Sequence, residues 1–194
     1  KHILKVHGSI VECGVNLGQG LFSWAHFANI FEPFNHSRRI IGFDTFEGFQ
    51  SVHDVDAPGN YLTDERWQEF ASRQSHDEIL TSIEAQEMSR VLDFAPRIEV
   101  VAGDALKTIP DFIENNRHLI VALLHLDFDI YKPTLTAIQN FIPRMPRGSV
   151  IAFDELNDPN DPGETIAFLE EDVAKRGKIY RNTFDSNLCY IILD

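Results

Sequence analysis

The sequence predicts one α/β domain built on a mostly parallel sheet that ends in an antiparallel hairpin. Three observations predict it. Short apolar runs alternate with helical patterns along most of the chain. The run from His118 to Leu126 is nearly uninterrupted, as expected of a central parallel strand covered on both faces. The last two strand-like segments, Lys178–Phe184 and Leu188–Leu193, are joined only by Asp185-Ser186-Asn187, which is too short for a parallel crossover, so they must pair antiparallel.

The elements follow in order. Gly8 to Cys13 reads as the first strand, and Gly14 to Gly20 as a glycine-bearing turn. Leu21 to Phe31 reads as a helix with bulky apolar residues on more than one face. Arg39 to Asp44 is the second strand and Arg97 to Val101 the third. Asp104 is placed to cap the next helix, which Asn115 and Asn116 end. Pro133 sits well at the start of the helix after the fourth strand. Ser149 to Phe153 is the fifth strand, and the helix after Gly163-Glu164 is expected to run on until Gly177. The stretch from Gln50 to about His76 breaks the alternation. It is polar, has a turn at Pro58-Gly59-Asn60 and carries a short helical pattern around Asp64–Arg73. It reads as a lid or substrate-recognition insertion over the strand ends, the alternative being a plain surface loop.

Composition narrows the function. With 194 residues, 43% hydrophobic and 24% charged, the chain suits a single globular domain with a sizeable core. A formal net charge of −13 argues against nucleic acid and against an anionic membrane surface. No apolar run is long enough for a membrane span, and no signal peptide is read before the first strand; whether a family-level N-terminal segment precedes that strand is left open. Cys13 and Cys189 lie in apolar runs and read as buried thiols, which fits a reducing cytoplasm. A homo-oligomer is left open.

In an open parallel sheet, ligands bind beyond the carboxyl ends of the strands. The candidate chemistry is therefore carried by the residues that end each strand. The first strand ends in Glu12-Cys13-Gly14, followed by Gly18 and Gly20. Its G-x-x-x-G-x-G spacing differs from the G-x-G-x-x-G of dinucleotide binders. An acid just before the first glycine suits a ligand ammonium group, which S-adenosylmethionine has and NAD lacks. Asp44, followed by Thr45, ends the second strand, where an acid typically accepts from both ribose hydroxyls, or else caps a loop. In Gly103-Asp104-Ala105, Asp104 is either an adenine partner or a simple helix cap. The fourth strand ends in Asp127 and Asp129 and the fifth in Asp154 and Glu155. Four carboxylates on neighbouring strand ends repel one another unless a cation or proton intervenes, and oxygen-rich clusters suit Mg²⁺, Mn²⁺ or Ca²⁺. Otherwise they would cap helices or pair with Arg or Lys. His125, beside them, reads as a hydrogen-bonded core histidine.

Taken together, Val11-Glu12-Cys13-Gly14-Val15, the string Gly42-Phe43-Asp44-Thr45-Phe46-Glu47-Gly48-Phe49, Leu126 to Tyr131 with Pro133-Thr134, and Phe153 to Asn157 resemble the macrocin O-methyltransferase family of metal-dependent sugar O-methyltransferases. The last string, continuing through Pro162-Gly163-Glu164-Thr165, is most similar to the branch that methylates nucleotide-linked deoxyhexoses. The resemblance implies a Rossmann-like class I methyltransferase fold with a seven-stranded sheet in the order 3-2-1-4-5-7-6. It implies S-adenosylmethionine bound by Glu12, Gly14, Gly18, Gly20, Asp44, Thr45, Asp104 and Ala105. It also implies a divalent metal, Mg²⁺ foremost, on Asp127, Asp154 and Glu155, with Asp129 as general base. Many members have two aspartates where this chain has Asp154-Glu155. The rival readings are a methyltransferase of a catechol-like acceptor, a nicotinamide-dependent oxidoreductase and a non-catalytic cofactor-binding module.

Overall fold

The computed structural model describes residues 1–50, 52–56, 76–184 and 187–194. Seven strands, β1 (Ser9–Cys13), β2 (Ile40–Asp44), β3 (Ile98–Ala102), β4 (Val121–Leu126), β5 (Val150–Phe153), β6 (Gly177–Arg181) and β7 (Cys189–Leu193), form one sheet. Their order is β3-β2-β1-β4-β5-β7-β6, as expected. The first five strands run parallel; β7 is antiparallel to both β5 and β6.

Side chains alternate across the strands, and this alternation builds two cores. Val11, Cys13, Ile41, Phe43, Leu124, Leu126, Ile151 and Phe153 face three helices, α3 (Ala105–Asn115), α4 (Tyr131–Phe141) and α5 (Pro162–Glu170). Ile10, Ile40, Ile98, Leu123 and Val150 face α1 (Gln19–Phe31) and α2 (His76–Met88). Glu12 and His125 follow the second phase, and the register sets them side by side across β1 and β4. Two buried arginines tie down the opposite edge of the sheet. Arg38 donates to Gly8 O, Ile3 O and Val6 O, and Arg97 to Asn29, Glu32 O and Asn35 O.

The structure changes some expectations. α2 was not foreseen: of its thirteen residues only Ile79 and Ile83 are buried, too thin a stripe to read as a helix. The helix after Gly163 stops at Glu170 rather than Gly177, because Asp172 turns left-handed at φ 52° and a short 3₁₀ turn, Val173–Lys175, leads into β6. β4 begins at Val121, not His118, and β6 ends at Arg181, not Phe184. Both cysteines are buried free thiols, as expected. Among the described residues no helix is long and apolar enough to cross a membrane. The turn at Pro58-Gly59-Asn60, the helical pattern at Asp64–Arg73 and most of the insertion at 50–76 lie outside the described residues.

Candidate active site

The parallel register decides what meets at the carboxyl edge. Leu126 pairs with Phe153, so Asp127 and Asp154 leave adjacent strands at the same level. The Asp154 amide still donates to Leu126 O at 3.1 Å, and the Asp127 amide to Cys13 O at 2.8 Å. Asp129 and Glu155 follow on the two loops. Between β1, β2, β3 and β4 opens a cleft lined by, among others, Gly14, Asp44, Thr45, Asp104, Asp127 and Asp129. Ala105 also lines it.

The loops at this edge are strained. Asn16 (φ 48°), Phe46 (φ 55°), Asp129 (φ 62°) and Asn157 (φ 73°) are non-glycine residues in the left-handed region, one on the loop after each of β1, β2, β4 and β5. Among the described residues only Asp172 shares that conformation elsewhere. Such outliers persist where the surroundings over-determine them, and they gather at functional sites.

Electrostatics mark the same corner. Burial and then the neighbouring Asp154 push Asp127 up to about 7. Burial and then Asp154 and Asp127 push Glu155 up to about 7. Asp129 lies well above the usual carboxylate range, from burial first and then Glu155, Asp127 and Asp154. Asp154 raises all three, and Asp127 raises both Asp129 and Glu155, the signature of converging like charges. Among the described residues no lysine or arginine forms an ion pair with Asp127, Asp129 or Glu155. Glu155 Oε2 is buried without a hydrogen-bond partner. Among the described residues no group of three or more His, Cys, Asp or Glu side chains stands close enough together, as placed, to hold a metal ion.

The other expected ligand residues divide into two groups. Gly14, Asp44, Thr45, Asp104 and Ala105 line the cleft; Glu12, Gly18 and Gly20 do not. Glu12 is only 2% exposed and lies behind the loop, where a Cβ on Gly20 would stand 1.8 Å from its Oε1. Gly20 is therefore glycine to make room for a carboxylate. Glu12 Oε1 is 3.5 Å from His125 Nδ1, so the core histidine has an acidic partner that spacing alone did not reveal. Burial raises Glu12. Burial alone would lower His125, but the Glu12 carboxylate raises it. Asp104 does cap α3: its Oδ1 accepts from Leu106 N at 3.0 Å.

Asp44 has a second duty. Its Oδ2 accepts from Val15 N (2.7 Å) and Asn16 N (2.9 Å), and its Oδ1 from Phe46 N (2.8 Å). A carboxylate offers roughly four acceptor positions, so about one stays open toward the cleft. Gripping both ribose hydroxyls would require the loop to release one amide. Asp44→Ala is thus expected to cost about 3 kcal/mol of stability, as well as ligand affinity, because three backbone amides lose a charged acceptor. Urea unfolding checks it, and a loss under about 1 kcal/mol would contradict the pinning role.

Glu164, in α5, is a site residue that sequence reasoning did not single out. It is fully buried, and its Oε2 accepts from Glu155 N at 3.4 Å. Burial, then Asp129 and Asp127, hold it well above its ordinary range.

A family model described as a methyltransferase domain matches residues 11–156. Among solved structures, CalS11, a calicheamicin methyltransferase, is 33% identical with a TM-score of 0.90, the match covering 98% of this chain and 74% of that one. An apo structure of CalS11, there called a TDP-rhamnose 3'-O-methyltransferase of calicheamicin biosynthesis, is 30% identical with a TM-score of 0.77 over the same shares. The O-methyltransferase NovP shares the fold at 16% identity and a TM-score of 0.75, over 98% of this chain and 73% of that one. No curated protein sequence matches the chain.

Proposed function

This chain belongs to the methyltransferase-domain family and is an S-adenosylmethionine-dependent O-methyltransferase, and from that premise we propose that it methylates a sugar hydroxyl, on a nucleotide-linked deoxyhexose, with help from a divalent cation. The macrocin-like resemblance and the TDP-rhamnose activity of the CalS11 relative support the acceptor class. The observation that carries the cation is the convergence of Asp127, Asp129 and Glu155 with no basic partner among the described residues. The donor set fits a hard cation: all are carboxylate oxygens, and one of them is buried and unpaired.

Asp127, Asp154 and Glu155 would hold the cation. When bound, it would supply a Lewis acid that lowers the pKa of an adjacent hydroxyl and offsets the charge of a diphosphate. Asp129, on the strained loop beside them, would take the hydroxyl proton as that oxygen accepts the methyl group and the sulfonium becomes a thioether. Asp44, Thr45, Asp104 and Ala105 would orient the donor's nucleoside, and Gly14 would let its backbone come close. Glu12 would face the donor's ammonium from behind the loop, without lining the cleft. The chain's contribution is alignment of oxygen, carbon and sulfur in a line.

The test supplies S-adenosylmethionine and Mg²⁺ with a panel of nucleoside-diphosphate deoxyhexoses and catechols, and measures S-adenosylhomocysteine release. Turnover is expected with a deoxyhexose, lost in chelator and restored by Mg²⁺. Turnover with catechols alone would overturn the acceptor class, and chelator-resistant turnover would overturn the cation.

A further inference from the structure

Glutamate at the third position of a helix commonly reaches back to the helix's own start. Glu164 holds that position in α5, after Pro162 and Gly163, and does something else. It is 0% exposed, whereas Glu170 at the far end of the helix is at the surface. Its Oε2 accepts from the backbone of Glu155, and its Oε1 is buried with no hydrogen-bond partner. The charges facing it are Asp129, Asp127 and Glu155.

The preceding glycine brings it there. A Cβ on Gly163 would stand 2.4 Å from Asp56 Oδ1 and 2.6 Å from Tyr131 N. Only glycine lets the start of α5 approach the start of α4 so closely. Asp56, 1% exposed, completes the joint: its Oδ1 accepts from Tyr131 N at 2.9 Å and its Oδ2 from His53 N at 2.9 Å. The joint therefore locks α5 against the loop that carries Asp129, with Glu164 turned inward among the acids.

The packing calls for one acceptor, toward the Glu155 amide, and not for the second oxygen, which is buried without a partner. An apolar side chain of the same volume would fill it without burying an unpaired oxygen among like charges. We propose that Glu164 is a positioning residue of the cation site: it holds the Glu155 amide, and with it the turn that presents Asp154 and Glu155. This rests on the cation reading above.

The experiment titrates Mg²⁺ into the full chain with S-adenosylhomocysteine present, for wild type, Glu164→Gln, Glu164→Asp and Glu164→Met, and records each metal-free melting midpoint. Glu164→Gln keeps the acceptor and is expected to retain wild-type affinity. Glu164→Met lacks it and should bind roughly tenfold to a hundredfold more weakly, as for other residues that orient ligands from behind. Its metal-free midpoint should rise. Glu164→Asp is one methylene short of the Glu155 amide and should weaken binding likewise, so the reading stands even if the methionine variant does not fold. Wild-type affinity in Glu164→Met or in Glu164→Asp, or a loss in Glu164→Gln as large as theirs, would overturn the role. A wild-type chain that takes up no Mg²⁺ would instead sink the cation reading, and this one with it.

Discussion

Asp129→Asn should abolish turnover while leaving affinity for S-adenosylhomocysteine intact. A positioned general base contributes roughly a hundredfold to ten-thousandfold to a rate, and asparagine has the shape of aspartate without its basicity. The backbone should not object. Asp129 sits at φ 62°, and asparagine is among the few residues that tolerate that region. The same variant should melt higher than wild type in the absence of metal. It removes a buried acid that burial and four neighbouring carboxylates hold well above its ordinary range. Lower activity with higher stability is the mark of a residue kept for chemistry rather than for folding. Steady-state kinetics, calorimetry and a melting curve check the three parts. Undiminished turnover would remove Asp129 from the role.

Gly14→Ala should damage both the fold and the site. Gly14 has φ 96°, and a Cβ there would stand 1.8 Å from the carbonyl oxygen of Asp127. The obstacle is backbone, so no rotamer change relieves it. The backbone is also stitched on both sides: the Gly14 amide donates to Phe43 O at 2.9 Å, and Cys13 O accepts from Asp127 N at 2.8 Å. Forcing β1 and β4 apart breaks that stitch and moves Asp127, the first acid of the cluster. A loss of at least about 3 kcal/mol is expected, from strain at a disfavoured φ added to the clash. In a domain of this size that lowers the melting midpoint by roughly 6–12 °C. Metal and donor affinity should fall together. A variant within about 1 kcal/mol of wild type would show that the strand ends are less tightly joined than described.

Most strands were legible because their apolar runs are short, β-rich and punctuated, and boundaries slipped where a run began in loop, as at His118, or ran on past the strand, as at Phe184. The acids at the ends of β4 and β5 were legible for a topological reason: neighbouring parallel strands deliver their last residues to one edge, here through the Leu126–Phe153 pairing. What stayed hidden depends on distant partners. Asp44 spends two acceptor positions on Val15 N and Asn16 N in the loop after β1, which only the pairing of β1 with β2 brings within reach. The burial of Glu164 follows from Gly163 meeting Asp56 and Tyr131, residues far away in sequence. α2 hides because two isoleucines in a polar segment leave almost no periodic signal.

The central claim is that acids from two adjacent strand ends hold a hard cation between them. Asp127 and Glu155, both raised to about 7, set the sign of its pH dependence. A carboxyl whose folded value lies above its unfolded one binds more protons when folded. Its contribution to stability is therefore fully present only below its ordinary value, about 4, and is lost as pH rises from there through about 7. A cation competes with those protons and reverses the loss. The most direct measurement is the melting midpoint with and without Mg²⁺ at about pH 6 and about pH 8, where the difference made by Mg²⁺ cancels the titrating groups that do not face the cluster. A large upward shift at the higher pH and a small one at the lower is the predicted result. No shift at the higher pH, or the same shift at both, would contradict it.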